Sequence, residues 1–561
     1  MTTLPHRLAA AYTAAPERAA IRLITNHREQ PITWRHLIEG CAGYAQSLAR
    51  AGIGPGEVVV LIQQHGEALV YAFFGAMLQG AIPSIMPFLT EKLSPEHYLR
   101  SLTSLIDITR PAAIVTYPEF APSVRAAIPA GSSVRGVLLE NEVQRLAAPD
   151  LARFPGLARS PADICLLQHS SGTTGLQKGV ALSHQAVFNQ VECYRDVIHM
   201  TDQDVVVSWL PLYHDMGLIA GFIMPLLCRA LLVLMSPFEW VRAPQMLMQA
   251  VSRHGGTLTW LPNFAYNFCA SKIRPRDLEG IDLSTWRAVI NCSEPMRHKS
   301  HQLFLERFQP YGLRPESLAT CYAMAENVFA VTQGGIDGPV TVDLVDSRSL
   351  VVERIARPAA PSDDSIPMLS AGRPIPNTRI RVLDERGRNL PERHIGEIAL
   401  QSDCMLTGYF NRHDLTAKAF LDGWYLTGDL GYIAGGEVYI TGRKKDLIIV
   451  GGKNIYPQDL EELAGQVQGV HPGRVVAFGL FNEETGTEDV VVIAEADAKS
   501  EDRRRAMAEA IRQRVTRGSE VTLRHVRVVG PKWLLKTSSG KIARGANREK
   551  YLAGQAATEE P

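Results

Sequence analysis

Between Leu166 and His184 the chain reads LLQHSSGTTGLQKGVALSH, an apolar strand, then hydroxyl residues and glycines, then a lysine. Ser170, Ser171, Gly172, Thr173, Thr174 and Gly175 set backbone N–H groups and hydroxyls close together. Glycines let such a backbone fold tightly around an anion, and Lys178 adds a point charge. The chemistry this suits is the holding of a phosphate. It is not a Walker loop, which needs G-x-x-x-x-G-K-[ST]. Counted from Gly172, the second glycine position holds Gln177, and Gly179 follows Lys178 where Ser or Thr is required.

Four more segments concentrate chemistry-bearing residues. They are CYAMAENV (321–328), WYLTGDLG (424–431), TGRKKDLIIVGGKNIYPQDLE (441–461) and LKTSSGKIAR (535–544). With the loop they form five motifs in one order, and in that order the chain resembles the adenylate-forming superfamily. That superfamily includes acyl-CoA synthetases, peptide-synthetase adenylation domains and luciferases. Ala323 stands where its Tyr-Gly-x-x-Glu motif has glycine.

The resemblance implies that a carboxylate joins the α-phosphate of ATP and pyrophosphate is expelled. Charge then spreads over phosphate oxygens and must be met by fixed cations and donors. Glu326 and Thr174 are implied at the Mg²⁺, which needs few protein ligands because it keeps waters and borrows phosphate oxygens. Tyr322 is implied to stack on adenine, with Ser293, Glu294 and Pro295 of NCSEPMR lining the other face. Asp429 is implied to accept from the ribose hydroxyls, a role that suits an acceptor-only carboxylate. Arg443 is implied beside ribose or phosphate. Lys541 is implied to bridge the acid's carboxylate and the α-phosphate, and Lys445 to be the hinge of a rotating small domain. His214, in SWLPLYHDMGLIAG, is implied at the border of the acyl pocket.

Within the superfamily the chain most resembles fatty acyl-AMP ligases, through LPLYHDMGLI, LPNFAYN, NIYPQDLE and the long segment of residues 334–368. This implies activation of a medium- or long-chain fatty acid as acyl-AMP. The acyl group then goes to the phosphopantetheine thiol of an acyl carrier protein, and the long segment disfavours transfer to CoA. HSSGTTGLQKG is closer to the CoA synthetases, so an acyl-CoA synthetase is the alternative. Amino-acid-activating relatives hold the α-ammonium with an aspartate, and the corresponding stretch here, SPFEW, offers Glu239.

These residues need a frame to hold them. At 561 residues the chain exceeds one core, so at least two domains are expected. Helical patterns such as TWRHLIEGCAGYAQSLARAG alternate with strands such as EVVVLIQ, AAIVTY, VVVSWLP, ALLVLM and GTLTWLP. That alternation predicts an α/β fold with doubly wound parallel sheets. After Arg373 short strands with Gly and Asn turns predict a β-rich, antiparallel subdomain. From PQDLEELAGQVQ onward a small α+β tail is expected, with the boundary near Arg443–Lys445. The domains are therefore 1–443, holding ATP and acyl group, and 444–561, a mobile lid carrying Lys541.

Composition excludes little but points one way. The chain is 46% hydrophobic and 21% charged, ordinary for a globular enzyme. Lys+Arg and Asp+Glu are both 58, so there is no global pull towards nucleic acid or an anionic membrane. The eight cysteines lack CxxC spacing and read as free thiols rather than a disulfide or zinc framework. The first residues have no apolar core followed by a cleavage site, so no signal peptide is expected. The longest apolar stretch, LIAGFIMPLLCRALLVLM, is interrupted by Pro225 and Arg229, and reads as a buried helix and strand rather than a membrane span. A cytoplasmic location is expected.

Overall fold

The computed structural model describes residues 3–26, 28–88, 95–170, 178–294, 296–362, 365–446, 448–450, 453–455, 457–482, 487–498, 500–519, 521–537 and 540–556. Ser171, Gly172, Thr173, Thr174, Gly175 and Pro295 lie outside the described residues, as do the side chains of Ser170 and Lys445.

Two seven-stranded sheets form the larger part. In one, the order is Leu318–Thr320, Ala288–Cys292, Leu258–Pro262, Val205–Ser208, Leu231–Met235, Ala19–Thr25, Arg28–Thr33. All neighbours are parallel except the last pair, a hairpin on the edge. Strands such as LLVLM are apolar on both faces because helices cover both, the pattern of a parallel sheet. LIAGFIMPLLCRALLVLM is a wide helical turn, Met216–Ile223, then the helix Met224–Leu227 and the strand Leu231–Met235, all largely buried. No helix among the described residues is long and apolar enough to cross a membrane. All eight cysteines are free.

In the other sheet Val58–Ile62, Ile82–Ile85, Ala113–Thr116, Gly136–Leu139 and Ile164–Ser170 run parallel. Lys178–Ser183 then returns antiparallel beside Ile164–Ser170, with Ser170 opposite Lys178. The loop read as a phosphate cradle therefore connects two paired strands. Trp34–Arg50 and Glu67–Leu78 pack on each other at close range. A Cβ at Gly75 would meet the Cys41 carbonyl oxygen at 2.7 Å, so glycine permits that approach.

The texture change after Arg373 is a five-stranded antiparallel sheet built from Thr378–Leu383, Gly396–Ser402, Phe420–Leu421, Trp424–Ala434 and Glu437–Arg443. The long segment contributes a hairpin, Val342–Asp346 with Ser365–Leu369, which packs on this sheet. Val345 and Leu350 share a small core with Leu430, Tyr432 and Tyr439. Asp343 accepts from Tyr432 Oη at 2.8 Å and pairs with Arg393 at 3.0 Å.

The C-terminal part has a three-stranded sheet, Val470–Asn482, Thr487–Ala496 and His525–Val529. Helices Pro457–Gly465, Glu501–Ser519 and Arg544–Ala556 surround it. Its core clusters run from Ile448 to Tyr551 and contain no residue of the larger part.

Candidate active site

In a parallel sheet the carboxyl ends of the strands share one edge, and that edge is where α/β folds bind ligands. The candidate residues follow those ends in order. Tyr322 follows Leu318–Thr320, and Ser293 and Glu294 follow Ala288–Cys292. Phe264 lies just beyond Leu258–Pro262, Trp209 after Val205–Ser208, and Trp240 in the helix after Leu231–Met235. Register thus places Tyr322 at one end of a row and Trp240 at the other.

At the Tyr322 end, Asp429 is buried and both its oxygens are engaged. Tyr322 Oη donates to Oδ2 at 2.6 Å and Arg443 Nε to Oδ1 at 2.8 Å. Asp429 and Arg443 face each other across the antiparallel pair Trp424–Ala434 and Glu437–Arg443. Burial, and then the Asp429 charge, push the Tyr322 phenol well up. A carboxylate has about four acceptor sites, so Asp429 keeps capacity for a diol.

Glu326 sits where both sheets meet the β-rich subdomain. Its Oε1 accepts from Tyr409 Oη at 2.9 Å, and Tyr409 Oη lies 2.9 Å from Tyr425 Oη. Lys178 Nζ stands 4.8 Å from the centre of the Tyr409 ring. The lysine of the loop and the glutamate of CYAMAENV therefore share one tyrosine. Burial raises the Glu326 carboxyl above the usual range, Asp215 adds to this, and the Tyr409 hydrogen bond and Arg443 oppose it.

The centre of the row is reached by Lys541. Burial raises the carboxyls of Asp215 and Glu294, with the Lys541 charge opposing it, and burial pushes His214 down to about 3, with the Lys541 charge adding to it. His214 is therefore neutral at ordinary pH, and its buried Nε2 has no partner among the described residues. Glu294 Oε2 accepts from the Phe264 backbone N–H at 2.9 Å. Ser293 holds a positive φ of 68°, a strained conformation for a residue with a side chain. The Lys541 backbone is pinned by Thr537, whose N–H donates to the Lys541 carbonyl at 2.7 Å and whose Oγ1 accepts at 3.2 Å. Gly540, at φ +88°, lies against the Phe264 ring, and Lys536 Nζ is 5.6 Å from that ring's centre.

Two further contacts join the small unit to the large. Arg297 pairs with Glu462 and donates to the Gln458 carbonyl at 3.2 Å. Around Lys445 the ties diverge. Lys444 Nζ bonds Glu397 of the β-rich sheet at 2.8 Å, whereas Asp446 pairs with Arg544 of the small unit at 2.6 Å.

Lys541, His214, Glu294, Ser293, Glu326, Lys178, Tyr322, Asp429 and Arg443 thus converge on one strand-end edge. Sequence reasoning did not single out Asp215, Tyr409, Phe264 or Trp209. Asp215 could have been found, since it adjoins His214 in the same motif. Tyr409 could not, because only the fold brings GYF to Glu326.

The AMP-binding enzyme family matches residues 8–410. A putative acyl-CoA synthetase of Caulobacter vibrioides is 33% identical over 91% of this chain and 88% of its own. A long-chain-fatty-acid–AMP ligase of Mycobacterium marinum is 30% identical over 89% of this chain and 86% of its own. Among solved structures, one from a study of fatty acyl-adenylate ligases of E. coli and L. pneumophila superposes with a TM-score of 0.88. It has 27% identity and covers 99% of both chains. The chain belongs to the AMP-binding enzyme family. It is an adenylate-forming ligase, and ATP is its nucleotide.

Proposed function

We propose that the enzyme activates a fatty acid as acyl-AMP and passes the acyl group to the phosphopantetheine thiol of an acyl carrier protein. One carboxylate oxygen of the acid bonds to the α-phosphorus, and the bond from that phosphorus to the bridging oxygen of pyrophosphate breaks. Lys541 meets the charge on the carboxylate and α-phosphate oxygens as it shifts. The residues of the 170–175 loop cradle the departing phosphates, with Lys178 at its exit strand. Asp429 and Arg443 hold the ribose, and Tyr322 with Ser293, Glu294 and Pro295 bounds the adenine. His214, kept neutral, borders the acyl side without adding a charge there. Glu326, a half-buried oxygen donor facing Lys178 across Tyr409, fits a hard cation, and with Thr174 it would hold Mg²⁺. That ion supplies further neutralisation of the phosphates.

The arrival of Lys541 among His214, Asp215 and Glu294 carries this reading, because it comes from a unit with its own core. A site assembled from two bodies is completed by closure. We place the boundary at 443/444 and the hinge at Lys445, between Lys444, bound to the large part, and Asp446, bound to the small one. Rotation there would withdraw Lys541 after adenylation and admit a thiol. The reading places the reaction in the cytoplasm, with no role for nucleic acid and no stable membrane insertion.

A second reading, transfer to CoA, is favoured by the likeness to a putative acyl-CoA synthetase. Fatty acid, ATP and Mg²⁺ with hydroxylamine should yield the acyl hydroxamate and pyrophosphate. Adding CoA or a holo-carrier protein in turn separates the acceptors. Carrier-protein loading without acyl-CoA supports the first reading, and rapid acyl-CoA formation replaces it with the second.

A further inference from the structure

At the end of the row opposite Tyr322, two tryptophans lie face to face. The Trp209 and Trp240 rings have centroids 3.5 Å apart and planes 4° apart. Trp209 follows the strand Val205–Ser208, and Trp240 lies in the helix Pro237–Arg242 after the adjacent strand, Leu231–Met235. Trp209 is 4% exposed and Trp240 not at all. Phe264 stands edge-on to both at 6.2 Å, and Phe268 packs on Trp240 at 5.4 Å. The Phe264 ring also lies against Gly540, next to Lys541.

Position along the row gives the pair its meaning. The ribose-binding candidates lie beside Leu318–Thr320, and Lys541 acts near the middle. An acid whose carboxylate is at Lys541 must extend its chain away from the nucleotide, towards Phe264 and then the pair. Chemistry points the same way. Two of the other buried tryptophans, Trp260 and Trp286, donate their indole N–H groups to Tyr194 and Thr259 at 3.1 and 3.0 Å. The Trp209 and Trp240 donors are buried without a partner among the described residues. Unpaired buried donors destabilise, so packing alone gives no reason to prefer tryptophan over leucine here.

We infer that the Trp209–Trp240 stack is the stop at the far end of the acyl pocket, and that it restricts the enzyme to fatty acids of short to medium chain. The inference rests on the adenylation reading and narrows its substrate. A close-packed wall rejects methylenes that do not fit, at roughly tenfold or more in kcat/KM for each. A long chain is accommodated only if the two rings part.

The test measures pyrophosphate release with straight-chain acids from butanoate to palmitate. The wild type should favour octanoate or a shorter acid over palmitate by at least about tenfold in kcat/KM. Trp240→Leu, and separately Trp209→Leu, should move the optimum to longer chains and raise the palmitate-to-octanoate ratio about tenfold or more. Trp240→Phe, which keeps a ring, should move it less. A wild type that uses palmitate as well as octanoate overturns the inference without need of any variant. So does an unchanged ratio in a folded leucine variant. Activity on no acid at all would instead remove the adenylation reading, and the inference with it.

Discussion

Lys541 illustrates what a single residue contributes. Most candidate nucleotide contacts, Asp429, Tyr322 and Arg443 among them, lie outside the small unit, whereas Lys541 approaches the candidate site from the small unit. Lys541→Ala should therefore cut acyl-AMP formation by roughly 10²–10³-fold, the usual loss for one preorganised charge or donor, while ATP still binds. Isothermal titration with a non-hydrolysable ATP analogue and a pyrophosphate assay check the two halves. Asp429→Ala should act differently. Ribose contacts are the same in ground and transition states, so KM for ATP should rise more than kcat falls. An unchanged KM in a folded variant would put the ribose elsewhere. Residues whose motifs are contiguous, such as Lys541, Asp429 and Glu326, were legible from sequence. Tyr409 and Phe264 were not, because they owe their positions to pairings between distant strands. Glu239 is the residue that SPFEW offers for an α-ammonium. Its Oε1 accepts from the Asn26 backbone at the edge hairpin, at 2.8 Å.

At the scale of elements, the helix Pro457–Gly465 is the small unit's handle on the large one. It offers Glu462 and the Gln458 carbonyl to Arg297. Arg297 in turn is anchored by its backbone N–H to Asn263, the neighbour of Phe264, at 3.0 Å. Arg297→Ala should loosen the adenylation arrangement, lowering acyl-AMP formation severalfold while raising the share of acyl groups reaching a thiol. Equal losses in both steps would show that the contact only supports the fold. The same helix carries a pH dependence. Burial pushes the Asp459 carboxyl up to about 7, more than Arg297 pulls it down. The unfolded group titrates near 3.9, so between about pH 4 and pH 7 the folded state binds more protons. Stability from this group therefore falls as pH rises through that window. Asp459→Asn should make Tm less sensitive to pH between 5 and 8, with the gain at pH 8. Thermal melts at both pH values decide it. The parallel strands, the change to antiparallel texture after Arg373 and the tail were all legible, because apolar runs and turn residues report burial directly. The edge hairpin Ala19–Thr25 with Arg28–Thr33 was not, since REQPIT is mostly polar and carries a proline.

For the whole molecule the issue is which arrangement of the two bodies dominates. The hairpin of the long segment packs on Leu430, Tyr432 and Tyr439. These lie on the strands Trp424–Ala434 and Glu437–Arg443, and the latter runs directly into Lys444 and Lys445. If Lys445 is the hinge, as proposed, a stiffened root gives the segment a physical route to the small unit. A bias of roughly 3 kcal/mol would hold the thioester-forming arrangement below about 1%. Shortening residues 334–368 should then raise acyl-CoA formation with little change in adenylation, as a coupled assay for both products would show. The α/β class and the small tail with its own core were legible at this scale. The choice of acceptor was not, since under the proposed rotation it depends on the relative free energies of two arrangements of one chain.

The most direct test is fatty-acid-dependent exchange of labelled pyrophosphate into ATP, run with the wild type and Lys541→Ala. Exchange should require the acid in the wild type and fall by roughly 10²–10³-fold in the variant. Exchange that proceeds without acid, or that survives within about threefold when Lys541 is gone, would overturn the adenylation mechanism.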